Sequence, residues 1–255
     1  MAVAQFLVQQ FSPLVAFSLR KISSTATNAI RVRRSSDNAE QDIGFVGVDL
    51  DTASLASFVG ANSAFIVKMY NQGTGGGSQD ATTVGASVQP RIVNAGTLDT
   101  LNGKPAIKFD GTGDYLITNT SIGATKVNWD LYQVFSQPSA SAIINVYGGN
   151  FTLCGVNGDG SASSNLGSDA PDFYYKNGAS ATLTTRDQVH DNIFTGGQLL
   201  VTSMGLNQDS GGNFGGYGGF HISGYTQELI YFRNVDTTSD RTSIETNINS
   251  YYAIY

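Results

Sequence analysis

Short apolar runs such as "AFIVKMY", "PAIKF" and "QELIYF" recur along the whole chain, and each is rich in Val, Ile, Tyr or Phe. Gly, Asn, Asp and Ser separate these runs, which is the pattern of β-strands joined by turns. About a dozen strands, with turn signals about 8 to 15 residues apart, predict an all-β fold built as a two-sheet jelly-roll sandwich. No repeat of solenoid or propeller length is visible in the sequence.

Two segments depart from this pattern and are predicted to be helices. Residues 51–59 have Asp51 as a suitable N-cap and are followed by a glycine. Residues 239–252 contain Thr242 and Glu245, which have the spacing of a capping box. An apolar stripe at helical period follows and is expected to lie against the sandwich. Its members are Ile244, Ile248, Tyr251, Tyr252 and Tyr255.

Charged residues make up only 13% of the chain, and the net charge is −6. Residues 1–34 contain five basic side chains and no acidic one, so the rest of the chain is strongly acidic. An acidic body argues against nucleic-acid binding, because that binding relies on Lys and Arg. No segment approaches the roughly 18 consecutive apolar residues of a membrane-spanning helix, so no membrane insertion is expected.

Residues 1–13 are apolar and uncharged, but they do not resemble a signal peptide. We therefore expect folding in a cytoplasm, with 1–13 as an N-terminal attachment segment and 14–255 as a single domain. The single cysteine, Cys154, excludes an internal disulfide. Neither His190 nor His221 has metal-ligand spacing, so no metal or cofactor is predicted. A Cys/His nucleophile pair is an open alternative to burial of Cys154 in a strand.

The stretch "RVRRSSDNAEQDIGF" concentrates charge in a chain that has little of it. In a strand, Arg34 shares a face with the apolar residues before it and would point towards the core. A buried guanidinium requires a carboxylate partner, and Asp37 and Asp42 are the nearest. We predict a structural ion pair among Arg34, Asp37 and Asp42, with a ligand-binding role as the alternative.

The segment "FDGTGDYL" predicts a β-hairpin whose turn begins at Asp110. The alternative is that Asp110 and Asp114 bind a cation, although no further carboxylates have the spacing of a calcium loop.

The glycine-rich residues 205–219 lie between two predicted strands and lack the Gly-Lys-Ser/Thr ending of a phosphate-binding loop. Amides and a carboxylate can bind sugar hydroxyls, and an aromatic ring can pack on a sugar face. The alternative is a mobile or tightly turning surface loop. The candidate ligand-binding residues are Asn207, Asp209, Asn213, Tyr217 and His221.

The segments "AIRVRRSSDNAEQDIGF", "VKMYNQGTGGGSQDATT" and "NGKPAIKFDGTGDYL" occur in the order seen in concanavalin A-like lectin/glucanase domains of phage virion proteins. The same order is similar to that in the catalytic domain of family 54 α-L-arabinofuranosidases. The resemblance covers about residues 14–118 and returns at "ELIYFRNVDTTSDRTSIETNINSYY". It implies a concanavalin A-like sandwich that ends in a strand and a closing helix.

The resemblance also implies where catalytic groups would lie. A retaining glycosidase needs two carboxyl groups about 5 to 5.5 Å apart, and the arabinofuranosidases use a mid-chain Glu and an Asp in a late glycine-rich loop. Asp209 lies in the corresponding late loop, whereas residues 151–161 contain Asp159 and no Glu. Asn71 also stands where the family has an Asp. The catalytic pair is therefore expected to be incomplete, and no catalytic residue is predicted.

We therefore expect a non-enzymatic virion protein of a bacteriophage, located in the virion as a spike, vertex, head-fibre or tail component. The expected partners are other virion proteins, further copies of the chain and a host cell-surface glycan. The alternative is a glycoside hydrolase of the arabinofuranosidase type, with Asp209 as acid/base and Asp159 as a weak candidate for the nucleophile. A purely structural module without a ligand is a third hypothesis.

Overall fold

The computed structural model describes residues 6–118, 127–136, 173–183, 185, 188, 192, 197–208, 213–214, 216–217, 220–233 and 237–255. The helices in this part of the chain are α1 (Leu7–Phe11), α2 (Thr52–Val59) and α3 (Thr238–Tyr252). Short 3₁₀ turns span Gly76–Gln79 and Ala86–Val88.

The strands of the first half of the chain are β1 (Val15–Ser18), β2 (Asn28–Arg34), β3 (Glu40–Val46), β4 (Asp49–Leu50), β5 (Ala64–Met69), β6 (Ala81–Thr82), β7 (Arg91–Asn94), β8 (Thr97–Leu98), β9 (Thr100–Leu101), β10 (Lys104–Pro105), β11 (Ile107–Asp110) and β12 (Leu116–Thr118). Those of the second half are β13 (Val127–Ser136), β14 (Phe173–Lys176), β15 (Ala179–Ala181), β16 (Leu199–Gln208), β17 (Asn213–Phe214), β18 (Gly216–Tyr217), β19 (Phe220–His221) and β20 (Ser223–Arg233).

Most strands belong to one antiparallel path in the order β15-β14-β16-β13-β20-β11-β7-β5-β2-β3-β4. Residues from both ends of this path, such as Tyr174 and Ile43, belong to one buried apolar cluster, so the sheet curls around a shared core. Strand β20 joins the two halves, because it pairs with β13 along one edge and with β11 and then β1 along the other. The predicted all-β sandwich is confirmed.

A second apolar cluster lies on the opposite face of β13, β16 and β20, where α3 covers the sheet. Ile244, Ile248 and Tyr252 of α3 are buried there, as the apolar stripe predicts, whereas Tyr255 is exposed. Burial on both faces explains why β20 is almost continuously buried instead of alternating.

Helix α1 packs into the same second cluster. Leu7 and Val8 are buried, and the Val8 amide donates to the Ile22 carbonyl over 3.0 Å. The segment 1–13, predicted to be a separate attachment segment, therefore contains residues that contribute to the domain core. Among the described residues, no helix is long and apolar enough to cross a membrane.

The sequence predicted the N-cap of one of the two longer helices and not that of the other. The Asp51 carboxylate accepts a hydrogen bond from the Ser54 amide over 2.9 Å, so the predicted N-cap of α2 is present. The predicted capping box of α3 is wrong, because Thr237 is the N-cap and accepts from the Asp240 amide. Thr242 lies inside the helix, where its hydroxyl donates to the Thr238 carbonyl.

A buried ion pair connects β1, β20 and α3. Arg20 follows β1 and donates two hydrogen bonds to Glu228 of β20, over 2.8 and 2.9 Å. The same carboxylate accepts from the Ser18 hydroxyl over 2.6 Å and from the Tyr252 hydroxyl of α3 over 3.3 Å. Because every partner is well placed, the cost of removing both charges from water is offset.

We predict that Glu228→Gln lowers the free energy of unfolding by about 3 to 5 kcal/mol, because it leaves the buried Arg20 guanidinium without a counter-charge. Urea denaturation followed by circular dichroism measures the change. The double variant Arg20→Leu/Glu228→Leu should recover most of the loss, since it removes both charges together. As a control, Asp42→Asn, which weakens a partly exposed pair with Arg31, should cost much less, about 1 kcal/mol. A loss below that value for Glu228→Gln would contradict the assigned role.

Candidate functional site

The arginines of the charged stretch form three separate contacts instead of one cluster. Arg31 donates to both oxygens of Asp42 over 2.7 and 2.9 Å, and the Tyr70 hydroxyl donates to the same carboxylate over 2.7 Å. The hydrogen bonds from Arg31 lower the pKa of Asp42. Burial and the bond to Asp42 raise the pKa of Tyr70 to about 12. Asp42 therefore neutralises Arg31, and the expected contact between Asp42 and Arg34 is wrong.

Arg34 pairs with Asp37 over 2.6 Å, but it lies at the rim of the sandwich with its side chain 27% exposed. The expectation that it enters the core is wrong, because α2 covers the end of β2. The guanidinium lies 4.8 Å from the centre of the Phe58 ring and donates to the Phe58 carbonyl. Hydrogen bonds from Arg34 lower the pKa of Asp37 to about 2.

Asn71 and Gln72, within the "YNQGTGGG" segment, fix the N-terminal strand to the sheet. The Asn71 side chain accepts from the amides of Ala16 and Gly73 and donates to the carbonyls of Leu14 and Gly76. Gln72 likewise bonds to three backbone groups of residues 18–22. A hollow of about 410 Å³ opens beside this segment, but its two central amides are already occupied by backbone groups. The segment is a structural clamp.

The turn at Asp110 is present, but the predicted hairpin is wrong. Strand β11 pairs with β7 and β20, while β12 pairs with β6 and β17. Both edges of β11 are thus occupied. The turn amides bond instead to the Asp110 carboxylate, which accepts from Thr112 and Gly113 over 2.8 and 3.1 Å. Gly111 has a φ of 82°, and a Cβ there would lie 2.8 Å from the Ser223 Cβ.

Asp110 and Asp114 carry carboxyl groups with opposite pKa shifts. Partial burial opposes ionisation of Asp110, but hydrogen bonds from Thr112 and the turn amides outweigh it and lower its pKa. Asp114 is only 7% exposed and accepts one backbone bond, from the Asp110 amide over 2.9 Å. Burial, and then the charge of Asp110, raise the pKa of Asp114 to about 6. Such a carboxyl can hold and release a proton near neutral pH.

One residue predicted from the glycine-rich loop contacts the residue that follows Asp114 in the chain. His221 lies beside Tyr115, with ring centroids 6.2 Å apart. Its Nδ1 is buried without a hydrogen-bond partner among the described residues. Arg91, paired with Asp99 over 2.8 Å, also acts on the Asp114 carboxyl by its charge.

The remaining candidates of that loop lie outside the described side chains. Strand β16 ends at Gln208, opposite Val127 of β13, and β17 pairs with β12. Asp209 itself, with Asp159, Cys154 and His190, lies outside the described residues, as do the side chains of Asn207, Asn213 and Tyr217.

Two of the three glutamates in the chain are neutralised inside the fold. Glu228 is paired with Arg20, and Glu245 is buried between Arg241 and the Thr202 hydroxyl, which donates to it over 2.8 Å. Glu40 is exposed on β3. The part of the chain that the structure describes holds no cluster of His, Cys, Asp and Glu that could bind a metal ion.

No family model and no curated protein sequence matches the chain. Solved structures do match. An arabinofuranosidase complexed with arabinofuranosyl-α-1,2-xylobiose is 15% identical over 95% of this chain and 64% of its own length, with a TM-score of 0.59. A family 54 α-L-arabinofuranosidase soaked with a cyclic sulfate inhibitor is 14% identical over 92% of this chain and 62% of its own, with a TM-score of 0.58. A mutant family 54 enzyme soaked with 4-nitrophenyl α-L-arabinofuranoside gives a TM-score of 0.56.

These likenesses establish a shared β-sandwich fold, and this chain spans less than two thirds of the length of the matched enzymes. The expectation of a non-enzymatic virion protein is overturned, because the solved structures that match this chain are arabinofuranosidases.

We predict that Asp114→Asn changes the dependence of stability on pH. The folded-state pKa of about 6 lies above the ordinary value of about 3.9, so the wild type loses stability as pH rises through this interval. The variant should therefore gain about 1 to 2 kcal/mol relative to wild type between pH 4.5 and pH 8. Urea denaturation at several pH values tests this. Asp37→Asn, whose parent pKa is about 2, should show no such gain. Parallel curves for Asp114→Asn and wild type would refute the shift.

Asn71→Asp, which installs the carboxylate of the resembling enzymes, should destabilise the fold by about 2 to 3 kcal/mol. It replaces the two donor bonds to Leu14 and Gly76 with repulsion between oxygens. Thermal denaturation measures the effect. Asn94→Asp makes the same charge change on an exposed residue and should be close to neutral. Equal stability of the two variants would show that the clamp is unimportant.

Proposed function

We propose that this chain is a glycoside hydrolase that releases arabinofuranosyl units from a polysaccharide. The observation that carries the proposal is the likeness over 92–95% of the chain to arabinofuranosidases, one of them complexed with arabinofuranosyl-α-1,2-xylobiose. A fold alone does not define a reaction. The proposal therefore also needs carboxyl groups that are free to react.

The ion pairs of the buried glutamates reduce the number of carboxyl groups that could act in catalysis. Glu228 and Glu245 are buried against arginines, and the cost of leaving either arginine unpaired would oppose their use as nucleophiles. Asp209 is the proposed acid/base, because the resemblance places that role in the late glycine-rich loop. Asp159 is the proposed nucleophile, because it is the single acidic residue of the segment 151–161.

Asp114 is the alternative candidate for the acid role of Asp209. Its raised pKa suits a group that donates a proton near neutral pH. Its position between β11 and β12 differs from the β16–β17 connection that contains Asp209. Variants of the two residues therefore separate the two assignments.

We predict that the protein hydrolyses both 4-nitrophenyl α-L-arabinofuranoside and arabinoxylan. Asp209→Asn should lower kcat/KM on arabinoxylan by about 10²- to 10⁴-fold. It should lower kcat/KM much less on the nitrophenyl glycoside, because nitrophenolate leaves without being protonated and kcat/KM reports this first step, before the same residue acts as base. Asp159→Asn should reduce both reactions equally, since a nucleophile is needed for either substrate.

The hydrolysis assays have one control variant and two contrary outcomes. Asp37→Asn, an exposed residue paired with Arg34, should leave both rates unchanged. If Asp114→Asn instead shows the substrate-dependent loss, the acid role belongs to Asp114. Wild-type protein that turns over neither substrate would refute the hydrolase.

A further inference from the structure

One row of side chains crosses six neighbouring strands on the face of the sheet that points away from the core. The backbone register places each member directly opposite the next, on β3, β2, β5, β7, β11 and β20. Their inward-facing neighbours, such as Val32, Ile66 and Ile107, are buried. In order, this outer row consists of Glu40, Arg33, Phe65, Arg91, Lys108 and Tyr225.

Cations and aromatic rings are paired along the outer row. The Arg33 guanidinium lies 5.1 Å from the centre of the Phe65 ring, and the Lys108 ammonium lies 4.5 Å from that of Tyr225. Arg91 lies between these pairs and bonds to Asp99 over 2.8 Å. From Arg33 to Tyr225, the members are partly exposed, so both the charges and the ring surfaces are accessible to a ligand.

Two of the three cations in the outer row form no ion pair with any carboxylate that the structure describes. Arg33 donates to the neutral oxygens of Gln89 and Asn38, over 2.7 and 2.8 Å. Lys108 contacts no carboxylate among the described residues, and its ring partner is neutral. Burial, and then the neighbouring Arg91, lower the pKa of Lys108, and the charges of Asp99 and Asp110 oppose this only in part. With Glu40 as its one acidic member, the outer row has two more basic than acidic side chains, on a protein whose net charge is −6.

We propose that the outer row binds an extended acidic polysaccharide whose uronate carboxylates pair with the cations and whose sugar rings pack on the aromatic residues. Neighbouring strands lie about 4.8 Å apart, so the row offers a charge or a ring at close, regular intervals to a chain lying across the strands. Guanidinium forks suit carboxylates, and aromatic faces suit sugar rings. The site adds a binding surface to the proposed function and does not depend on hydrolysis.

A nucleic acid is the other polyanion to consider, but the observations favour the polysaccharide. Nucleic-acid binding needs many Lys and Arg contacts to closely spaced phosphates. The outer row offers two unmatched cations, and acidic side chains dominate the rest of the chain. A carboxylated polysaccharide has a lower charge density than nucleic acid.

The test uses the full chain and sodium polygalacturonate in affinity gel electrophoresis, at low and at physiological ionic strength. We expect retention of the wild type that weakens with salt. Arg33→Gln/Lys108→Gln should weaken the affinity by about tenfold. The matched control Lys21→Gln/Lys104→Gln removes the same charge at residues outside the row and should change the affinity less than about twofold. Circular dichroism verifies that both double variants are folded.

Three results would overturn the proposal: no retention of the wild type, equal losses in the two double variants, or equal retention by fully methyl-esterified polygalacturonate. Tighter binding of single-stranded DNA would assign the surface to nucleic acid instead. Turnover of 4-nitrophenyl α-L-arabinofuranoside should be the same in both double variants. A failure of the binding proposal is therefore distinguishable from a failure of the hydrolase proposal.

Discussion

The buried ion pair between Arg20 and Glu228 is the interaction on which the two-core architecture depends. It lies where β1 joins β20 and where α3 crosses the sheet, and Ser18 and Tyr252 complete its hydrogen bonds. A buried charge pair is tolerated only when its geometry is well satisfied. The pair therefore favours one arrangement of strand, sheet and helix over alternatives that would separate the charges.

The same constraint limits where chemistry can occur. With Glu228 and Glu245 held by arginines inside the fold, carboxylates that can react must be aspartates or the exposed Glu40. Asp114 shows how the fold alters such a group, because burial next to the ionised Asp110 raises its pKa to about 6. At the surface, Arg31, Arg34 and Arg91 each pair with an aspartate, whereas Arg33 and Lys108 form no ion pair within the described part of the chain.

Local sequence signals predicted local features well. Asp51 caps α2 as expected, and the turn after Asp110 forms through its own carboxylate. Three other predictions were wrong, two because they required knowing which groups the strands bring together and one because a different local residue caps the helix. Strands β11 and β12 do not form a hairpin, Asp42 pairs with Arg31 instead of Arg34, and Thr237 precedes the predicted start of α3 as its cap. In each case a partner distant in sequence or an alternative local cap decided the outcome.

The sequence by itself determined the all-β class, both longer helices and the turn residues, because strand alternation, caps and glycine conformations depend on a few adjacent residues. The tertiary structure decided the rest. Arg20 and Glu228 are 208 residues apart, and the outer row draws its members from six strands joined only by sheet register. Ion pairs, pKa shifts and binding surfaces depend on distances in space and on burial, which no short stretch of sequence specifies.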